Sequence, residues 1–317
     1  MRIITGATGP LSRVVALLGL SATVALVALS PAATRAASAP RATTVIQAVG
    51  AENEYADVIK QIGGAHVAVT AILSDPNTDP HSYESSTRDA GAVARAAFIV
   101  QNGIGYDAFM QKLEAASPDS ARAVLSVGES LGFKAGDNPH LWYDPTTMPY
   151  VAAWTTAVLA RLDPADAATF QANLRTFDAS MLAYTGRIAS LRKRYAGTPV
   201  AITEPVFGYT LNALGFRVLT PPSFALAIQE GNDPSPQDVQ MEQNLLTQNK
   251  VKLFAYNQQA VAPITTKLLP LARAHHIPIV GVYETKPLSK SYQQWMVAEL
   301  DAVDRALSRG QSSEVLK

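Results

Sequence analysis

Eight short apolar runs punctuate the chain, four in each half. The first four are Thr44–Val49, Val67–Leu73, Phe98–Gln101 and Ala123–Val127; the second four are Val200–Thr203, Phe216–Leu219, Leu253–Tyr256 and Ile279–Tyr283. Each has the length of a strand. Between them the polar and apolar positions fall at helical spacing, as over Tyr55–Ile62, Asp107–Ala116, Gln237–Gln248 and Ile264–Ala274. Strands that alternate with helices predict parallel sheets in an α/β architecture.

One segment between the halves has the clearest pattern. Phe170, Leu174, Phe177, Met181, Tyr184, Ile188, Leu191 and Tyr195 follow steps of four and three without a break, which is one face of an α-helix. Asp163 is the expected N-cap, Pro164 suits the first helical position and Asp166 favours the positive end. Arg192, Lys193 and Arg194 suit the negative end, and Gly197 stops the helix. Some thirty residues at 1.5 Å each span roughly 45 Å. Such a helix is either an ordinary amphipathic element or a spine between two lobes, and the similar halves on either side favour the spine. The expected division is a leader over 1–39, a first α/β lobe over 40–162, a linking helix over 163–196 and a second α/β lobe over 197–317.

The leader differs from the rest of the chain. Arg2 and Arg13 precede an apolar run from Val14 to Leu29, followed by Ser30, Pro31 and small residues. This order matches a cleaved secretory signal; the alternative is an uncleaved membrane anchor, for which about 16 apolar residues fall short of the roughly 20 that a span needs. Hydrophobic residues make up 48% and charged residues 16%, so the chain can bury sizeable cores and does not have the composition of a disordered protein. The 26 basic residues balance the 26 acidic ones, which argues against a nucleic-acid partner. Cysteine is absent, so thiolate metal sites, disulfides and a cysteine-linked lipid anchor are excluded for this sequence. The expected location is therefore outside the cytoplasm, periplasmic or at the cell surface.

Candidate chemistry rests on two of the five histidines and two glutamates. His81 lies in the polar, proline-rich stretch Asp75–Glu84 after a strand run, and His140 lies in the loop Gly136–Pro145. A proline precedes each and restricts the backbone that presents it. Taken singly, each would more often be a surface histidine than a ligand. Glu204 directly follows the run Val200–Thr203, and Glu284 directly follows Ile279–Tyr283. Open parallel sheets bind ligands beyond the carboxyl ends of their strands, where all four residues would fall. Two neutral imidazoles and two carboxylates carry a charge of −2, which a divalent cation neutralises. For either glutamate the competing role is a helix cap or first-turn acid. His275 and His276 sit at the end of a helical pattern and are expected to cap it. Trp142 is expected to pack the His140 loop, and Glu230–Pro236 to form a loop that caps the next helix.

The chain resembles the zinc/manganese-type periplasmic solute-binding proteins of bacterial ABC metal transporters. The residues that carry the resemblance are Asp79-Pro80-His81-Ser82-Tyr83-Glu84, Asn102-Gly103, His140-Leu141-Trp142-Tyr143-Asp144-Pro145, the long helix, and Thr203-Glu204 leading into Phe207-Gly208-Tyr209. The likeness extends over residues 44–308. It implies two parallel-sheet α/β lobes joined by one long rigid helix, with one metal ion between them. It also implies four metal ligands, His81, His140, Glu204 and Glu284, and an ABC permease at the membrane as partner. Zinc-type members usually have a third histidine where Glu204 stands, whereas manganese-type members have glutamate. The last ligand is usually aspartate, one methylene shorter than Glu284.

An oxygen-rich ligand set favours a harder ion, so Mn²⁺ comes first; Zn²⁺ follows because it accepts imidazole and carboxylate with higher intrinsic affinity, and Fe²⁺ also fits. Asp79, Glu84 and Asp144 are candidates for orienting the imidazoles, with turn or helix capping as their alternative role. Capture and delivery of a metal by a monomer, without catalysis, is the expectation. The competing readings are a metal-free solute-binding or adhesin-like surface protein and a zinc-dependent hydrolase. The latter normally keeps an open coordination position for water, which four protein ligands would not leave.

Overall fold

The structure, a computed structural model, describes residues 45–75 and 83–316. The leader over 1–39 and the turn that carries Asp79 and His81 lie outside the described residues. The first half runs β1 (Ile46–Glu52), α1 (Asn53–Gly63), β2 (Val67–Leu73), α2 (Thr87–Arg95), β3 (Phe98–Gln101), α3 (Ala108–Ala116), β4 (Ala123–Ser126), α4 (Val127–Ser130) and α5 (Thr147–Leu162). Then comes α6 (Ala167–Tyr195). The second half runs β5 (Pro199–Ile202), α7 (Gly208–Ala213), β6 (Arg217–Val218), α8 (Pro222–Gln229), α9 (Pro236–Thr247), β7 (Leu253–Asn257), α10 (Pro263–Ala274), β8 (Ile279–Val282) and α11 (Tyr292–Arg309).

Each half forms a four-stranded parallel sheet with the same order, β2-β1-β3-β4 and β6-β5-β7-β8. All eight apolar runs become strands; β3, β7 and β8 are buried throughout, as parallel strands covered on both faces require, while β6 at a sheet edge is exposed. In both sheets the first strand pairs with the second on one side and the third on the other. The chain thus leaves β1 and β3, or β5 and β7, in opposite directions. That divergence opens a crevice at the carboxyl ends of the paired strands. β1 runs on to Glu52, past the predicted Val49, and α1 starts at the next residue. The tight junction depends on Gly50, where a Cβ would lie 2.5 Å from the Ala56 nitrogen.

The long helix forms with its expected apolar face inward: Phe170, Phe177, Met181, Tyr184, Ile188 and Leu191 are buried. Its start differs from the sequence expectation. Pro164–Asp166 forms a 3-10 turn before α6, and Asp163 makes no side-chain cap; Asp163 and Asp166 face His66 instead. The end falls where expected, with Gly197 at φ +81° just past the last turn. α11 returns from the second half to pack along α6, where Arg187 reaches Asp301 and Asp304. One apolar core runs through both halves, joining Tyr55 and Trp142 to Tyr184, Tyr292 and Trp295. The spine is thus embedded in shared packing along most of its length.

Burial along this helix sets a test. Leu191→Ala is expected to cost about 2–5 kcal/mol, since it leaves a cavity in the shared core. Leu182, 70% exposed on the same helix, should change stability by no more than about 0.5 kcal/mol when replaced by alanine. Urea unfolding of both variants checks the contrast; equal effects would refute the embedded spine.

Candidate metal centre

Three adjacent strands of the second sheet end at one place. Glu204 lies two residues beyond β5 and Glu284 two beyond β8, while Asn257 is the last residue of β7, the strand between them. The middle position lets one amide serve both carboxylates: Asn257 Nδ2 donates to Glu204 Oε1, and to Glu284 Oε1 at 2.6 Å. Asn257 is itself fixed by Thr203, whose Oγ1 accepts its backbone N–H at 2.9 Å. Gln259 Oε1 accepts the backbone N–H groups of Glu284 and Thr285 at 2.5 and 2.8 Å, which holds the Glu284 turn. All four acidic and amide side chains are buried.

His140 meets this edge from the first half. Asn138 Nδ2 donates to Pro205 O at 2.8 Å, so Asn138 presents its Oδ1 to the imidazole. That oxygen lies 2.6 Å from His140 Nδ1, which therefore carries the proton. Nε2 is left as the electron-pair donor, and it points at Glu284 Oε2 from 3.3 Å. Both side chains are completely out of solvent. Two electron-pair donors so close in a buried place need a proton or a cation between them.

The first sheet supplies a second wall. The turn after β3 holds Gly103, Ile104 and Gly105 at φ +78°, +48° and +97°. Ile104 is β-branched, so this conformation is strained. The Asp107 carboxylate accepts the N–H groups of Asn102 and Gly103, and Glu129 accepts that of Ile104 at 3.0 Å, which holds the turn in place. A side chain at Gly103 would collide with Glu129 and Ser126. The turn delivers Tyr106, whose hydroxyl donates to Glu284 Oε2 at 3.0 Å. Asn53, at the start of α1, exchanges two hydrogen bonds with the Lys286 backbone, 2.8 and 2.9 Å long, and so ties the first half to the Glu284 turn.

Burial raises the pKa values of the carboxyl groups nearby. Burial pushes Glu54 up to about 8, opposed by Lys286 and reinforced by Glu284. Glu52 is raised well above the ordinary carboxylate range by burial and by repulsion from Asp107 and Glu54. Beneath the site, burial also raises Glu299 to about 8, although Tyr143 and Trp295 donate to it.

The structure thus brings together His140, Glu204 and Glu284, three of the four residues singled out in the sequence; His81 lies outside the described residues, as does Asp79. The expected orienting roles are filled differently. Asp144 accepts the N–H and hydroxyl of Thr146 at 2.8 and 2.6 Å and closes a turn, so Asn138 orients His140 instead. Glu84 is exposed ahead of α2. Trp142 is buried with its ring 5.4 Å from that of His140, edge to face. His275 and His276 end α10, as expected. Sequence reasoning missed Asn138, Asn257, Gln259 and Tyr106. Asn257 obeys the same strand-end rule as the glutamates, but only the strand order shows that it sits between them.

Glu299 generates a pH prediction. Its folded pKa of about 8 exceeds the ordinary 4.5, so its stability contribution is complete below pH 4.5 and is lost as pH rises through 8. Glu299→Gln keeps an acceptor for Trp295 and cannot ionise. Between pH 5 and 8, urea unfolding should show wild-type stability falling relative to the variant by up to about 1.4 kcal/mol per pH unit; parallel profiles would refute the assignment.

Comparison with known proteins places the chain in a family. The family model for the zinc-uptake complex component A, periplasmic, matches residues 49–306. The manganese-binding lipoprotein MntA of Bacillus subtilis is 27% identical over 223 residues, 65% of this chain and 69% of that protein. The iron-binding protein YfeA of Yersinia pestis is 25% identical over 206 residues, 62% of this chain and 64% of that protein. Among solved structures, the periplasmic zinc-binding protein TroA of Treponema pallidum superposes with a TM-score of 0.67 at 18% identity, covering 83% of this chain and 98% of that one. With two parallel α/β halves, a long helix between them and a family match over most of its length, the chain belongs to the periplasmic zinc-uptake component A family.

Proposed function

We propose that the chain is the extracytoplasmic metal-binding subunit of an ABC importer, and that its cargo is one divalent transition-metal ion held by His140, Glu204 and Glu284 together with His81. The observation that carries this reading is the convergence of His140 Nε2 and Glu284 Oε2, 3.3 Å apart and out of water, with the proton on the far ring nitrogen. The two glutamates and the neutral imidazoles make a −2 donor set that a divalent cation satisfies. The relatives support the class of cargo: their names specify manganese, iron and zinc in turn. Glutamate at 204 makes the set oxygen-rich, which favours Mn²⁺ over Zn²⁺ and Fe²⁺ on ligand preference.

The working division is a cleaved leader over 1–39, lobes over 40–162 and 197–317, and the linking helix over 163–196. Among the described residues no helix is long and apolar enough to cross a membrane. The family of ABC metal-uptake components supports delivery to a separate permease, met by a monomeric subunit. The shared core and the Asn53–Lys286 clamp support release by local movement of loops at the site rather than by wide opening of the lobes.

Metal analysis of protein purified without a His tag tests the function. About one equivalent of bound metal is expected, and His140→Ala should lose it; an apo protein whose melting temperature ignores added Mn²⁺ and Zn²⁺ would refute the reading. Competition between Mn²⁺ and Zn²⁺ on the apo protein then assigns the cargo. Affinity should fall on acidification as the imidazoles take up protons. Asn138→Ala, which frees the His140 ring, is expected to weaken binding about 10–100-fold, measured by competition with a chromophoric chelator.

A further inference from the structure

A second set of donor atoms lies where α1, α5 and α6 meet. His66 Nδ1 is 3.4 Å from Asp166 Oδ2 and 3.8 Å from Asp163 Oδ2. Taken one from each residue, the three donor atoms lie within 4.8 Å of one another. Each sits at the end of a rigid element: His66 closes the 3-10 turn after α1, Asp163 ends α5, and Asp166 directly precedes α6. Phe170 holds the His66 ring edge to face at 5.5 Å, and Asn173 bolts α6 to α1 through the Ile62 carbonyl at 2.7 Å. These contacts fix the donors before any ligand arrives.

The charges at this corner are unbalanced. His66 is the only ion-pair partner of Asp163 and Asp166 among the described residues. The nearby Lys60 ammonium is engaged by the carbonyl oxygens of Gly64 and Val67. His66 Nδ1 is shielded from water and has no hydrogen-bond partner. Two carboxylates beside a single imidazole leave the corner net negative, and the N-terminus of α6 offsets only a fraction of a charge. Tetrahedral coordination with bonds of about 2.0–2.1 Å places neighbouring donors about 3.3–3.4 Å apart, and the observed 3.4 and 3.8 Å are within a few tenths of that spacing. The side chains retain 20–29% exposure, which leaves a fourth position open to water.

We propose that His66, Asp163 and Asp166 form a second, weaker site for a borderline first-row divalent cation, with Zn²⁺ the best match, that ties the first half of the chain to the spine. The site is independent of the one between the halves. Nitrogen and carboxylate donors in a low-coordination arrangement suit Zn²⁺ better than Ca²⁺ or Mg²⁺, which demand more oxygen ligands.

Calorimetric titration of the chelator-treated full chain with Zn²⁺ tests this. The wild type is expected to bind two equivalents. His66→Phe, which keeps a ring against Phe170 but removes the donor, should lose the weaker one, as should the double variant Asp163→Asn/Asp166→Asn. His140→Ala should lose the tighter equivalent and keep the weaker. A wild type that binds a single equivalent removed by His140→Ala would overturn the second site. So would a second equivalent that survives both His66→Phe and the double aspartate variant. A single equivalent lost in His66→Phe but retained in His140→Ala would uphold this site while refuting the interlobe one.

Discussion

Burial of like-acting groups is the constraint on which this molecule turns. His140 Nε2, Glu204 and Glu284 are brought together where water cannot solvate them, and electron-pair donors without solvent need a proton or a cation between them. The surroundings are organised to bear that cost. Asn257 donates to both glutamates, Tyr106 donates to one of them, Gln259 pins the Glu284 turn, and Asn138 fixes which imidazole nitrogen faces Glu284. Each of these helpers is itself held by a strand end, a strained turn or a backbone hydrogen bond.

The repeated 2-1-3-4 strand order explains where the site lies. In each sheet it opens a crevice beyond the carboxyl ends of the first and third strands, and the two crevices face each other across the shared core. The second sheet places two glutamates and an amide there. The first contributes a wall, with Asn53 and Tyr106 reaching across. Glu52 and Glu54, on the first sheet's edge, are buried acids whose pKa values burial raises.

The spine does more than connect. It shares its apolar face with α1, α5 and α11, so the halves meet over packed side chains as well as at the site. Its N-terminal end carries Asp163 and Asp166 against His66 in place of the simple cap that the sequence implied. A cap satisfies backbone N–H groups with one side chain. Here a 3-10 turn at Pro164 redirects both carboxylates toward a histidine brought in from a distant part of the chain.

The eight strands, the long helix and the strand-end glutamates were legible in the sequence because their causes are local. Apolar runs, helical periodicity and a carboxylate after a strand all lie within a few consecutive residues. His140 was legible through its loop, and its family resemblance added the partners. What the sequence left open depends on contacts between distant segments. The sequence offered Asp144 to orient His140 and passed over Asn138; only folding shows that Asp144 turns to Thr146, while Asn138 is anchored on Pro205, 67 residues away. Asn257 became part of the site because β7 lies between β5 and β8, and sequence order cannot reveal spatial order. His66 met its two aspartates because α1 packs where α5 ends and α6 begins. Local pattern determined the elements; packing between elements decided which side chains would face one another without water.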